Sequence, residues 1–171
     1  MHTPPVVVVM GVSGTGKTTV GPLLADRLGV PYAEADDFHP PANIAKMSAG
    51  IPLDDEDRRP WLDAIGAWAH DHAARGGVVS CSALKRDYRD RLRAANPDAV
   101  FLHLTGDRAR IAERMKARKG HFFSDRMLAS QLATLEPLEP DENGVAVDIS
   151  PEPEAIAERA AAELRRRTAQ N

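Results

Sequence analysis

The chain has 171 residues, 43% of them hydrophobic and 27% charged, with a formal net charge of −3. That is room for one domain with a real core, so residues 1–171 read as a single domain, and the mild acidity gives no general pull toward nucleic acid or an anionic membrane. One cysteine, Cys81, excludes an internal disulfide and a cysteine-based metal site; no apolar run reaches the ~20 residues of a membrane span, and Val6 to Met10 is too short for a signal segment, so the cytoplasm is the expected location.

Val6 to Met10 is a β-branched run that reads as a strand buried on both faces. Gly11-Val12-Ser13-Gly14-Thr15-Gly16-Lys17-Thr18 follows and fits G-x-x-x-x-G-K-[ST] between a strand and a helix. The glycines let successive backbone N–H groups turn inward, and the helix that starts beside them adds its positive end. Gly11, Ser13, Gly14, Thr15 and Gly16 are therefore candidate ATP-phosphate ligands, with Thr18 and Thr19 in the first helical turn. Lys17 brings a cation to the β- and γ-phosphates, and the Thr18 hydroxyl can ligate Mg²⁺.

Thr18 to Leu28 is predicted helical and stops at Gly29 and Pro31. Pro31 to Ala35 is a weaker strand. Asp36 falls at its end, facing the phosphates; it can accept the proton or hydrogen bond of an acceptor hydroxyl, hold Mg²⁺ through water, or simply serve a turn. Asp37 reads as a turn or cap residue, and His39 as a polyol ligand or a plain loop histidine. Ala42 to Met47 is a short helix. Asp57 to Ala74 is a longer one, with Asp57 as its cap, Pro60 in its first turn and Trp61, Ile65 and Trp68 on one face. Arg58 and Arg59 stand behind four acids, and either can grip an anionic substrate or be a solvated ion pair.

Val78 to Cys81 is the third strand, and Cys81 reads as a buried, unreactive thiol. Lys85 and Arg89 follow it and bring positive charge to the same sheet edge, or are surface charges. Arg86 to Ala95 is helical, Ala99 to Leu104 a strand, Arg108 to Arg118 and Met127 to Leu135 helices, Val145 to Ile149 a strand and Glu152 to Arg167 the closing helix. The basic stretch Arg110 to Gly120 leads into a loop and suits a lid, around 114–127, that closes over ATP with Arg114 and Arg118. Strands alternating with helices imply a five-stranded parallel sheet with helices on both faces, a three-layer α/β sandwich with ligands beyond the carboxyl ends of the strands.

Six blocks, Met10 to Thr18, Phe38 to Met47, Asp54 to Leu62, Cys81 to Asp90, Lys116 to Phe123 and Ser130 to Glu136, resemble the thermoresistant-type gluconokinases, over about Val7 to Ile149. The resemblance implies ATP- and Mg²⁺-dependent phosphorylation of D-gluconate, a nucleoside-monophosphate-kinase-like fold with strand order 2-3-1-4-5, and often a homodimer. It makes Asp36 the acceptor-side carboxylate, Arg118 a lid cation, and Arg58, Lys85 and His121 stronger substrate-side candidates. Together with the reading of the residues, the catalytic candidates are Lys17, Asp36 and Arg118, and the substrate-side ones Asp36, His39, Arg58, Lys85, Arg89 and His121. Pro151, in the loop after the last strand, sits where relatives hold adenine. Relatives often carry glycine where this chain has Ala35, but Asp36 and His39 keep their places. Two other readings stand beside this one: another small-molecule kinase of the same fold, such as shikimate kinase, and a non-catalytic nucleotide-binding module. The N-K-x-D of base-specific GTPases and an L-S-G-G-Q-like signature are both missing from the sequence.

Overall fold

The computed structural model describes residues 4–12, 14–116 and 125–169. Five strands, β1 (Val6–Met10), β2 (Tyr32–Glu34), β3 (Gly77–Ser80), β4 (Val100–Thr105) and β5 (Gly144–Asp148), form one sheet in the order β2-β3-β1-β4-β5. Every pairing is parallel, with Val8 of β1 opposite Val79 of β3 and Phe101 of β4. The helices are α1 (Lys17–Leu28), α2 (Pro41–Ser48), α3 (Asp55–Asp71), α4 (Arg86–Ala95), α5 (Arg108–Lys116), α6 (Asp125–Thr134) and α7 (Pro153–Ala169).

The alternation along β1 builds both halves of the core. Val7 and Val9 pack with Val20, Leu24, Ile156 and Ala160 of α1 and α7. Val8 and Met10 pack with Trp61, Ile65 and Leu92 of α3 and α4. Each fully buried valine of this kind contributes about 1.5–3 kcal/mol, so a central strand of four valines fixes its place in the sheet without any polar contact. Glycine then lets the layers close: a Cβ at Gly21 of α1 would stand 2.6 Å from the Tyr32 ring and 2.7 Å from Ser80 Oγ.

The predicted elements fall within a few residues of the observed ones, with one instructive shift. α3 begins at Asp55, not Asp57, and its cap is Asp54. Asp54 Oδ1 accepts the Asp57 amide at 2.7 Å, and Asp57 Oδ2 accepts the Asp54 amide at 3.1 Å. This reciprocal capping box satisfies two N–H groups that no intrahelical carbonyl can reach. Pro60 consequently lies in the second turn rather than the first. Asp37 does not cap α2 either: that position is Pro40, and no side chain caps the helix.

Candidate active site

At the end of β1 the chain turns through Gly11, Gly14 and Gly16, with φ of 144°, 87° and 93°, conformations that favour glycine. A Cβ at Gly11 would come within 2.7 Å of the Leu104 carbonyl oxygen. Thr15 Oγ1 donates to Val12 O at 2.9 Å from a fully buried position, and the Gly11 amide donates to Ser82 O at 3.2 Å. These bonds set the loop between β1 and the segment after β3. Gly16 caps α1 without a side-chain bond and the first turn of α1 carries no acid, so the positive end of the helix faces the loop. Lys17 Nζ donates to Gly11 O at 2.7 Å and Val12 O at 3.1 Å. Thr18 and Thr19 are exposed in the first turn, and Ser13 lies outside the described residues.

Asp36 sits exposed in a single 3₁₀ turn, Ala35–Phe38, directly after β2. Trp61 of α3 holds this turn by donating Nε1–H to Ala35 O at 2.7 Å. His39 stacks on the Trp61 ring at 4.5 Å and 8°, and its Nδ1 is 3.3 Å from Asn43 Nδ2. Burial pushes the His39 imidazole below its ordinary range; Asp36 opposes that shift and Arg58 reinforces it. Cys81, directly after β3, is buried in the core beside Ala35 and Met10. Burial pushes its thiol up to about 12, and the charges of both Lys17 and Asp36 act on it.

Beyond His39 the structure gathers a second group. Tyr88 of α4 donates its hydroxyl to Asp55 Oδ1 at 2.6 Å and accepts from Arg58 Nη1 at 3.3 Å. Lys85 Nζ donates to the same Asp55 oxygen at 3.4 Å. Both cations lie over the Tyr88 ring, Arg58 at 5.8 Å and Lys85 at 5.5 Å from its centroid. The Tyr88 hydroxyl, ahead of Lys85 and Arg58, holds the Asp55 carboxyl below its usual range against the opposing effect of burial. Arg58 and Lys85 therefore meet at Tyr88, whereas Arg59 is exposed. Tyr88 and Asp55 were not singled out by sequence; the i, i+3 spacing of Asp55 and Arg58 and of Lys85 and Tyr88 is the signal that pairs them.

Arg89 departs from expectation. It is 0% exposed, and it donates Nε to Glu142 Oε1 at 2.7 Å, Nη2 to Glu142 Oε2 at 3.0 Å and Nη1 to Ala83 O at 2.9 Å. Its charge is spent inside the protein, and no face of it is open to a substrate. Its effect on the site is indirect. Ala83 adopts a left-handed φ of 45° in the loop that carries Lys85, and Arg89 holds that residue's carbonyl.

On the nucleotide side, Arg114 of α5 donates to Ile149 O and, at 3.1 Å, to Pro151 O. A Cβ on Gly16 would be 3.8 Å from Arg114 Nη1. The arginine therefore joins the glycine loop to the segment after β5. Arg118 and His121 lie outside the described residues, as does most of the expected lid. Thr18 and Asp36 offer a divalent ion oxygen donors only, and no group of three or more acidic, histidine or cysteine side chains that could hold a metal occurs among the described residues. That donor set suits Mg²⁺, which takes one or two protein oxygens and completes its shell with phosphate and water.

A family model described as shikimate kinase matches residues 13–167. The chain is 46% identical over 157 residues to a gluconokinase of Gluconobacter oxydans (strain 621H), covering 91% of this chain and 88% of that protein. It is 45% identical to the thermoresistant gluconokinase of Escherichia coli (strain K12), covering 85% of each. The crystal structure of a gluconokinase from Sinorhizobium meliloti 1021 superposes with a TM-score of 0.89 at 46% identity, over 99% of this chain and 97% of that one.

Proposed function

The chain belongs to the gluconokinase family of P-loop kinases, and from that premise we propose how its residues let it phosphorylate D-gluconate to 6-phospho-D-gluconate with ATP. The observation that supports the proposal is where the chain puts its charges. Lys17 opens α1 after β1, Asp36 lies in the turn after β2, and Lys85 follows β3 and meets Arg58 at the Tyr88 ring, so these segments gather beyond the carboxyl ends of neighbouring strands. An aldonate has a primary hydroxyl at one end and a carboxylate at the other. The reacting hydroxyl belongs at Asp36, opposite Lys17, and the carboxylate belongs at Arg58, Lys85 and Tyr88.

In this mechanism the loop amides and Lys17 hold the β- and γ-phosphates. Asp36 orients the acceptor hydroxyl in line with the γ-phosphorus and takes its proton as the bond forms. Arg114, with Arg118, balances the charge that spreads over the transferred group, and the segment at Pro151 receives the adenine. Phosphoryl transfer needs positioning and charge neutralisation above all, so these roles account for the catalysis the protein must supply. Thr18 and Asp36 would hold Mg²⁺, which would neutralise phosphate charge when bound. His39, fixed on Trp61, and His121 supply hydrogen bonds to the polyol. The segment around 114–127 acts as the lid of a single domain, and the protein works in the cytoplasm, as a monomer or homodimer.

Asp36→Asn tests the arrangement. It keeps the shape and removes the base, so kcat is expected to fall by about 10²-fold or more, with ATP affinity measured by calorimetry changing little. A kcat within a few fold of the wild type would remove Asp36 from the reaction.

A further inference from the structure

Four acids open α3, and only one is shown turning to the substrate-side cations. Asp54 is committed to the cap, and both oxygens of Asp57 lie 2.8 Å from Lys46 Nζ. Asp55 instead places Oδ1 2.6 Å from the Tyr88 hydroxyl, 3.4 Å from Lys85 Nζ and 3.8 Å from Arg58 Nη1. Those are the three donors that the gluconate reading assigns to the substrate's carboxylate, and the inference rests on that reading.

We propose that Asp55 is a built-in stand-in for the substrate carboxylate, filling its position in the empty enzyme and turned out by gluconate as it binds. Relative exposure says which partner moves. The Asp55 side chain is 61% exposed, whereas Arg58 and Lys85 are 32% and 34% exposed and rest against Tyr88. Rotating Asp55 into water leaves α3 intact, because the cap is made by Asp54. Charge gives the reason for the exchange. Two cations and one acid leave a net positive site that attracts an anion, and two carboxylates among the same donors would repel each other at contact distance. Asp55 thereby keeps the donors assembled while the site is empty. It also sets a threshold: a neutral polyol has no group able to replace it, and an aldonate does.

The test is Asp55→Asn, which keeps an acceptor for Tyr88 and removes the competing charge. The KM for gluconate is expected to fall by about threefold or more, the KM for ATP to stay the same, and inhibition by acetate to strengthen in parallel. A raised or unchanged KM for gluconate, with wild-type protein active on gluconate, overturns the inference and makes Asp55 a fixed part of the donor frame. Lack of gluconate turnover in the wild type itself overturns the substrate reading, and the inference with it. A role confined to the helix start would shift the melting temperature and leave the KM for gluconate and the acetate inhibition unmoved.

Discussion

Replacing Lys17 with alanine is expected to remove nearly all turnover, about 10³-fold or more, while the protein stays folded. The ammonium sits at the phosphate loop, donating to Gly11 O and Val12 O. Both carbonyls belong to the loop rather than to the sheet, so the strands are expected to keep their packing without these bonds. The charge is another matter. Lys17 is half-buried and bonded to the carbonyl of the buried Val12, where a cation acts on phosphate charge with less screening than in water. Steady-state kcat and thermal unfolding of the variant check this together. Turnover within tenfold of the wild type would show that the loop amides suffice alone, and loss of the folded state would show that Lys17 is structural.

The largest expected effect on stability comes from the buried pair of Arg89 and Glu142. Glu142→Gln leaves the Arg89 guanidinium, 0% exposed, without its counter-charge. Breaking one side of such a pair costs about 3–5 kcal/mol, or about 10 °C in Tm for a domain of this size. The double change Arg89→Met with Glu142→Leu is expected to recover much of that loss, because an apolar pair carries no unpaired charge. The same pair sets a pH dependence. Burial alone would raise the Glu142 carboxyl; Arg89, the Glu139 amide and Arg93 outweigh it and hold it at about 2, against an ordinary 4.5. A depressed carboxyl contributes its stability in full above pH 4.5 and loses it as pH falls toward 2. Denaturant melts across that range should show a steeper acid limb in the wild type than in Glu142→Gln. Equal limbs, or a Tm loss below about 2 °C, would mean that the pair is not what holds the loop after β3.

The sheet and the phosphate loop were legible in the sequence because their causes are local. Val6 to Val9 must be buried whatever surrounds them, and the glycine spacing of residues 11–16 dictates its own backbone. The start of α3 was ambiguous because Asp54 and Asp57 can each cap a helix; the reciprocal bonds between them decide it. Arg89 was misread for a non-local reason. Lys85 and Arg89 look alike after the third strand, and what separates them is Glu142, 53 residues further along. A hint was available: Arg89 stands three residues from Leu92 on the inward face of α4. The i, i+3 spacing pairs Asp55 with Arg58 and Lys85 with Tyr88 within their own segments, but the meeting of the two pairs is non-local, since it depends on α3 and α4 packing side by side.

The most direct measurement is a coupled assay of ADP release with D-gluconate, shikimate and nucleoside monophosphates offered as acceptors under identical conditions. A site with Asp36 at one end and Arg58, Lys85 and Tyr88 at the other predicts strong preference for gluconate, with the phosphate found on its primary hydroxyl. Preference for shikimate or a nucleotide, or ATP hydrolysis without an acceptor product, would contradict it.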